Sequence, residues 1–237
     1  MASSLKVLTV PAKAKHTATV IFMHGLGDSG YGWKPVADQI SRDSSFHHIK
    51  WVLPHAPTVP CTANGGMPMP GWFDIFSFGF KGPEDETGIL HSRDKVNTLI
   101  EQEIESGLSA DRIVVGGFSQ GAAMTLATGL TTEHKLAGLT VLSGWFPIRE
   151  QIKGLLRSPT TTVPIFWGHG EDDPLVPLSL GHLSKEELKN VGVNETKESG
   201  EPGIFFKAYP DLGHSADEQE IVDWANWLKK VIPPAQE

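Results

Sequence analysis

Arg112-Ile113-Val114-Val115-Gly116-Gly117-Phe118-Ser119-Gln120-Gly121-Ala122-Ala123-Met124-Thr125-Leu126-Ala127 is the stretch that decides the fold. Arg112–Gly116 is a short β-branched apolar run and reads as a buried strand. Ala122–Ala127 is rich in strong helix formers. Between them stands G-x-S-x-G, Gly117 to Gly121. A chain that turns sharply from strand into helix at a serine holds that hydroxyl in a strained, exposed position. Glycines two residues to either side allow the close backbone packing such a turn needs. Ser119 therefore reads as a nucleophile, and the chemistry as hydrolysis or acyl transfer. Without that strand and that helix, the pentapeptide would be a chance match.

Outward from this centre, strand-like and helix-like runs alternate, which predicts an α/β fold with a mostly parallel sheet. The expected strands are Lys6–Val10, Ala18–Met23, Lys50–Leu53, Arg112–Gly116, Gly138–Leu142, Val163–Trp167 and Ile204–Tyr209. Several are apolar without alternation, as when helices cover both sheet faces. The expected helices are Lys34–Ser41, Arg93–Gly107, Gln120–Leu130, Lys185–Val191 and Asp217–Val231. In Arg93–Gly107, Val96, Leu99, Ile100 and Ile104 fall at helical spacing, with Ser92 expected to cap the start and Gly107 the end. In Asp217–Val231, Ile221, Trp224, Leu228 and Val231 form one stripe, stopped by Pro233-Pro234. Both stripes read as core packing.

The longest segment without a clear period is Pro54–Gly88. It carries Met67, Met69, Trp72, Phe73, Ile75, Phe76, Phe78 and Phe80 among prolines and glycines. That is too aromatic for disorder, so it is expected to form a wall or lid over an apolar pocket, the plainer alternative being a cap on the core.

At 237 residues the chain is expected to form one domain, 1–237, with length for a single large core. A hydrophobic content of 39% and a charged content of 20% are ordinary for a globular protein. The net charge of −8 argues against nucleic acid as a partner and against docking on an anionic membrane through a basic patch. Cys61 is the single cysteine, so no internal disulfide can form. The N-terminal residues do not read as a signal peptide, and Ala2 excludes myristoylation. The C-terminal residues carry no prenylation or retention address, and no apolar run approaches the ~20 residues of a membrane span. The cytosol is the simplest address.

A serine hydroxyl needs a base to take its proton. In the fold implied by the elbow, acid and then base follow the nucleophile along the chain. The histidines after Ser119 are His134, His169, His182 and His214. His214 lies just past the strand Ile204–Tyr209, in a loop at a strand's carboxyl end, where α/β sites assemble. His134 and His182 sit among polar residues and read as surface groups. His169 is the rival, but it occupies the strand end expected to supply the acid, so His214 is favoured as the base. The acid is sought in Gly168-His169-Gly170-Glu171-Asp172-Asp173-Pro174. Asp173 is favoured over Asp172 and Glu171, because Pro174 holds it extended. Its role would be to orient His214 and stabilise the imidazolium.

The oxyanion needs two N–H donors. One is expected from Gln120, directly after the nucleophile, and the other from Leu26 in the loop His24-Gly25-Leu26-Gly27-Asp28. His47-His48 point in different directions on any regular element, and His169, Asp172 and Asp173 have no second ligand cluster. No metal and no cofactor is expected. The glycine-rich stretches match neither the dinucleotide fingerprint nor the phosphate-binding loop.

Read together, His24-Gly25-Leu26-Gly27-Asp28, Pro54-His55-Ala56-Pro57, Gly71-Trp72-Phe73-Asp74, Gly116–Gly121, Leu142-Ser143-Gly144-Trp145 and His169–Pro177 resemble the acyl-protein thioesterases. These belong to the phospholipase/carboxylesterase family of α/β-hydrolases, and the matches run in order across nearly the whole chain. The resemblance implies an α/β-hydrolase fold, the triad Ser119, Asp173 and His214, and Leu26 and Gln120 as oxyanion donors. It places Trp72, Phe73 and Trp145 beside an acyl channel. It implies removal of palmitoyl groups from protein cysteines, with lysophospholipase or short-ester activity alongside. S-acylated proteins or lipid-like acyl esters would be the substrates, with transient membrane contact and oligomeric state left open. Animal members carry an acylated cysteine near the N-terminus; the corresponding residues here include none. A short-chain carboxylesterase is the alternative enzyme, and a silent hydrolase fold acting as a binding module the alternative of another class.

Overall fold

The computed structural model describes residues 4–78 and 82–235, so the readings of residues 1–3, of Phe80 and of residues 236–237 lie outside the described residues. Seven strands form the main sheet: β1 Val7–Val10, β2 Ala18–Met23, β3 Ile49–Pro54, β6 Ile113–Phe118, β7 Gly138–Leu142, β8 Pro164–Gly170 and β9 Gly203–Tyr209. The remaining pair, β4 Thr58–Cys61 and β5 Met67–Pro70, makes a separate antiparallel hairpin. In the main sheet the order is β1-β3-β2-β6-β7-β8-β9, with β1 antiparallel to β3 and every other pair parallel. The order reverses direction at β2 and β6. That is the switch point of an open α/β sheet, where a crevice opens at the carboxyl ends of the strands.

Among the described residues five α-helices lie between the strands, α1 Gly30–Ile40, α2 Glu86–Glu105, α3 Gln120–Gly129, α4 Arg149–Leu155 and α5 Leu178–Lys189, and α6 Glu218–Val231 follows the last strand. The continuous apolar runs now have their reason. In β2, Ile21 and Met23 face one core and Ala18, Val20 and Phe22 the other. In β6, Val115 and Val114 divide the same way. Helices α2 to α5 cover the first face through residues such as Ile100, Leu126, Ile152 and Leu188. Helices α1 and α6 cover the second through Trp33, Trp224 and Trp227. A strand covered on both faces has no solvent side to mark with polar residues.

Several helix boundaries depart from the sequence expectation, each through a cap. Helix α1 starts at Gly30 and runs through Pro35, because Ser29 accepts the Tyr31 N–H and caps it there. Helix α2 starts at Glu86 because Asp85 Oδ1 accepts the Gly88 N–H at 2.9 Å. Ser92 is therefore not a cap. It is buried within the helix, and its hydroxyl donates to the Trp72 carbonyl. Gly107, at φ +100°, is the left-handed residue just past the helix end. Helix α5 begins at Leu178 rather than Lys185, and α4 was not foreseen.

Candidate active site

The chain leaves β6 and enters α3 at Ser119, whose backbone sits at φ 55°, ψ −117°. A non-glycine residue there costs about 1–3 kcal/mol, held only because the surroundings over-determine it. The surroundings are close-packed backbone. A Cβ on Gly117 would lie 2.3 Å from the Gly121 carbonyl, and one on Gly121 would lie 2.2 Å from Met23 O. Glycine at both positions is what lets strand, turn and helix meet. The Ser119 N–H donates to Leu142 O at 2.9 Å, fixing the elbow to the neighbouring strand β7.

Ser119 Oγ lies 2.9 Å from His214 Nε2, and His214 Nδ1 lies 2.7 Å from Asp173 Oδ2. An ionised carboxylate only accepts, so the neutral ring carries its proton on Nδ1 and offers Nε2 to the serine. The Asp173 side chain is wholly buried and that of His214 is 13% exposed. Burial raises the Asp173 pKa, but the His214 hydrogen bond and the Val176 and Leu175 N–H groups outweigh it, leaving the carboxyl below its usual range. Those two N–H groups donate to Oδ1 at 2.8 and 2.9 Å. Of the three acids considered, Asp173 is buried and meets His214, whereas Glu171 and Asp172 are exposed. Their backbone N–H groups instead donate to Tyr209 O and Leu212 O, which fastens the acid loop to the His214 loop.

The other histidines lie elsewhere. His134 Nε2 pairs with Glu101 at 2.7 Å, and exposed His182 stacks on Phe206. His169 is fully buried under the Asp173 loop.

The loop after β2 lies across the crevice from the elbow. As the first residue of α3, Gln120 has no carbonyl a turn behind it to accept its N–H. Leu26 N–H has no backbone acceptor among the described residues. Leu26, Gln120, Ser119 and His214 all line one apolar cleft of about 930 Å³, open to solvent. Two donors beside a nucleophile, in a cleft that sheds water, are what a developing oxyanion needs.

Sequence reading missed what holds this loop. His24 is buried, with Nδ1 2.7 Å from Gly25 O and Nε2 accepting the Ala56 N–H at 3.0 Å. Burial keeps its pKa below the usual value, so the ring stays neutral and can make both bonds. The Gln120 side chain also went unread: Oε1 accepts Trp72 N–H and Nε2 donates to Phe73 O, both at 2.8 Å. A long amide at the buried start of an apolar helix was the available signal.

Trp145 lines the cleft together with Ile75, Phe78, Leu175 and Val176. Phe73 lies one layer further out: it lines a small neighbouring pocket that shares Ile75 and Trp145 with the cleft. Trp72 lines neither. It is 1% exposed, and its indole N–H donates to His24 O, so it props the loop from behind. Trp145 is pinned by Glu84, whose carboxylate accepts both the indole N–H at 3.0 Å and the Ile148 N–H at 2.6 Å. Among the described residues, no three metal-ligating side chains converge.

The family described as Phospholipase/Carboxylesterase matches residues 6–232. Acyl-protein thioesterase 1 of Cryptococcus neoformans var. neoformans is 44% identical over 239 residues, covering 98% of this chain and 100% of that protein. Acyl-protein thioesterase 1 of Neurospora crassa is 44% identical over 233 residues, covering 95% and 91%. Among solved structures, Arabidopsis thaliana SOBER1 superposes with a TM-score of 0.83 at 35% identity, covering 91% of this chain and 99% of that one. Zea mays acyl-protein thioesterase 2 gives a TM-score of 0.83 at 28% identity, covering 96% and 99%.

Proposed function

The chain belongs to the phospholipase/carboxylesterase family of α/β-hydrolases, and we propose on that footing that it is an acyl-protein thioesterase, a serine hydrolase that removes fatty-acyl groups from protein cysteines. The supporting observation is the unbroken line of hydrogen bonds from Ser119 through His214 to Asp173 on the floor of an apolar cleft. Ser119 Oγ attacks the thioester carbonyl while His214 Nε2 takes its proton. The new imidazolium is held by the Asp173 carboxylate, which does not take the proton. The oxyanion sits on the Leu26 and Gln120 N–H groups, each contributing about 3–4 kcal/mol in the transition state. The tetrahedral adduct collapses and expels the cysteine thiolate. With a thiol pKa of about 8.5, that leaving group departs readily, and it takes up the proton from the His214 imidazolium, which returns the ring to its neutral state. Water, activated by His214, then hydrolyses the acyl-enzyme and releases the fatty acid.

The acyl chain would lie against Ile75, Phe78 and Trp145. S-acylated proteins are the proposed partners, with lysophospholipid-like esters as secondary substrates. Among the described residues no helix is long and apolar enough to cross a membrane. A cytoplasmic address is part of the proposal, in keeping with the buried, free Cys61.

The test is kcat/KM over matched acyl thioesters and oxygen esters, from acetyl to palmitoyl, with fluorophosphonate labelling of wild type and Ser119→Ala. Activity rising with chain length, and both activity and label lost in the mutant, is expected. Full labelling of Ser119→Ala would sink the assignment of the nucleophile. A peak at short oxygen esters would turn the reading to a carboxylesterase.

A further inference from the structure

The Asp173 loop is gripped from beneath by a side chain that the mechanism above does not use. His169 stands in β8 with no exposed surface. Its Nε2 lies 2.8 Å from Val176 O, and the Trp167 indole N–H points at its Nδ1 from 3.4 Å. A carbonyl only accepts and an indole N–H only donates, so the ring is neutral with its proton on Nε2. Burial favours the same state. Helix α5 passes close against the ring: a Cβ on Gly181 would come within 2.8 Å of Nδ1. His169 Nε2 and Asp173 Oδ2 are 3.9 Å apart, too far for a hydrogen bond.

Val176 is the link between the two. Its carbonyl is held by His169, and its N–H donates to Asp173 Oδ1 at 2.8 Å. The other carboxylate oxygen, Oδ2, takes the His214 Nδ1–H. Asp173 follows β8 in a turn, so the aim of its carboxylate depends on where residues 175 and 176 are anchored. We propose that His169 is a positioning residue for the hydrolase reaction: through Val176 it fixes the orientation in which the Asp173 carboxylate meets His214. It touches no substrate and moves no proton. This rests on the triad proposed above. If Ser119→Ala kept its activity, that triad would fall whatever the His169 variants did.

The experiment compares His169→Gln with His169→Asn in the full chain. A Gln amide can put an N–H where Nε2 stands and still reach Val176 O, whereas Asn stops at the Nδ1 position. Both keep a group that can meet the Trp167 indole. Rates are taken per active site, titrated with fluorophosphonate, so a loss of folded protein does not count. The low-field proton NMR signal of the His214 Nδ1–H reports the bond to Asp173 directly. His169→Asn is expected to lower kcat by about tenfold or more, with KM changed by less than about twofold, and to lose that signal; misplacement by an ångström is enough for such losses. His169→Gln is expected to keep the signal and a kcat within about threefold of wild type. A wild-type kcat in His169→Asn would overturn the proposal, as would a His169→Gln that falls as far as Asn. If His169→Asn does not fold, His169→Gln decides alone: a folded Gln variant with normal kcat and the low-field signal supports the tether, and a folded one with depressed kcat overturns it.

Discussion

Glu220 is fully buried near the start of α6, and neither carboxylate oxygen meets a hydrogen-bond donor among the described residues. Its carboxyl lies against β8, where a Cβ on Gly168 would come within 2.2 Å of Oε1. Burial, with Asp217 and Asp223 nearby, pushes its pKa from 4.5 up to about 8. Between those values the native protein keeps a proton that the unfolded chain has released. Stability must therefore fall as pH rises through this window and level off above it. At pH 7 the pH stands about 2.5 units above the unfolded value, so roughly 3 kcal/mol has already been lost, a large share of the 5–15 kcal/mol typical of a domain. Glu220→Gln keeps the shape of the protonated acid and cannot ionise. Urea melts of both proteins at pH 5, 6, 7 and 8 would measure the effect, provided m is unchanged. The variant is expected to match or fall slightly below wild type at pH 5 and to exceed it by about 3 kcal/mol at pH 7. Parallel stability curves across the whole pH range would refute the reasoning.

Two further outcomes follow from the site. Asp173→Asn keeps the size of the side chain but loses the charge that stabilises the imidazolium and selects its tautomer. The thioesterase kcat should drop by about four orders of magnitude with the melting temperature little changed, and a loss under tenfold would remove Asp173 from the triad. Trp145→Ala deletes the partition between the Ser119 cleft and the neighbouring cavity along with its bond to Glu84. The ratio of kcat/KM for palmitoyl over octanoyl thioesters should rise, and an unchanged ratio would mean that acyl chains do not use the second cavity.

What the sequence disclosed was whatever a local pattern can carry. The elbow was legible because three constraints coincide within a few residues: a β-branched strand, a serine and two glycines. The apolar runs gave the mostly parallel sheet, because a two-faced strand has no polar side to blur its signal. Boundaries were lost where the cap lay outside the periodic run, as with Ser29 and Asp85. The hairpin β4–β5 was hidden because Pro60, Pro68 and Pro70 lie within its strands, and proline argues against a strand. Trp72 was set beside an acyl channel by the resemblance to the acyl-protein thioesterases, an expectation carried by the Gly71–Asp74 motif alone. Its place behind the wall depends on contacts with His24 and Gln120, far away in sequence.

Those distant contacts say how the site keeps its shape. Gln120 carries its expected oxyanion N–H on the main chain, while its side chain grips Trp72 N–H and Phe73 O. Trp72 in turn holds His24 O through its indole and is held by Ser92 through its own carbonyl. His24 ends this run by bonding Gly25 O, beside the other proposed donor, Leu26. One run of hydrogen bonds thus leads from the residue of one proposed oxyanion donor, Gln120, through the wall residue Trp72 to the neighbour of the other, Leu26. Strain at Ser119 can persist because the packed glycines of the elbow and the bond to Leu142 O hold its backbone next to this run. The acid loop lies outside this run and is tied instead to β8 through Val176 and His169. The proposed nucleophile and its proposed oxyanion donors therefore share one scaffold, while the aim of the acid hangs on a second. A variant that loosens one need not loosen the other, which is why kinetics at His169 can be read separately from damage to the oxyanion site.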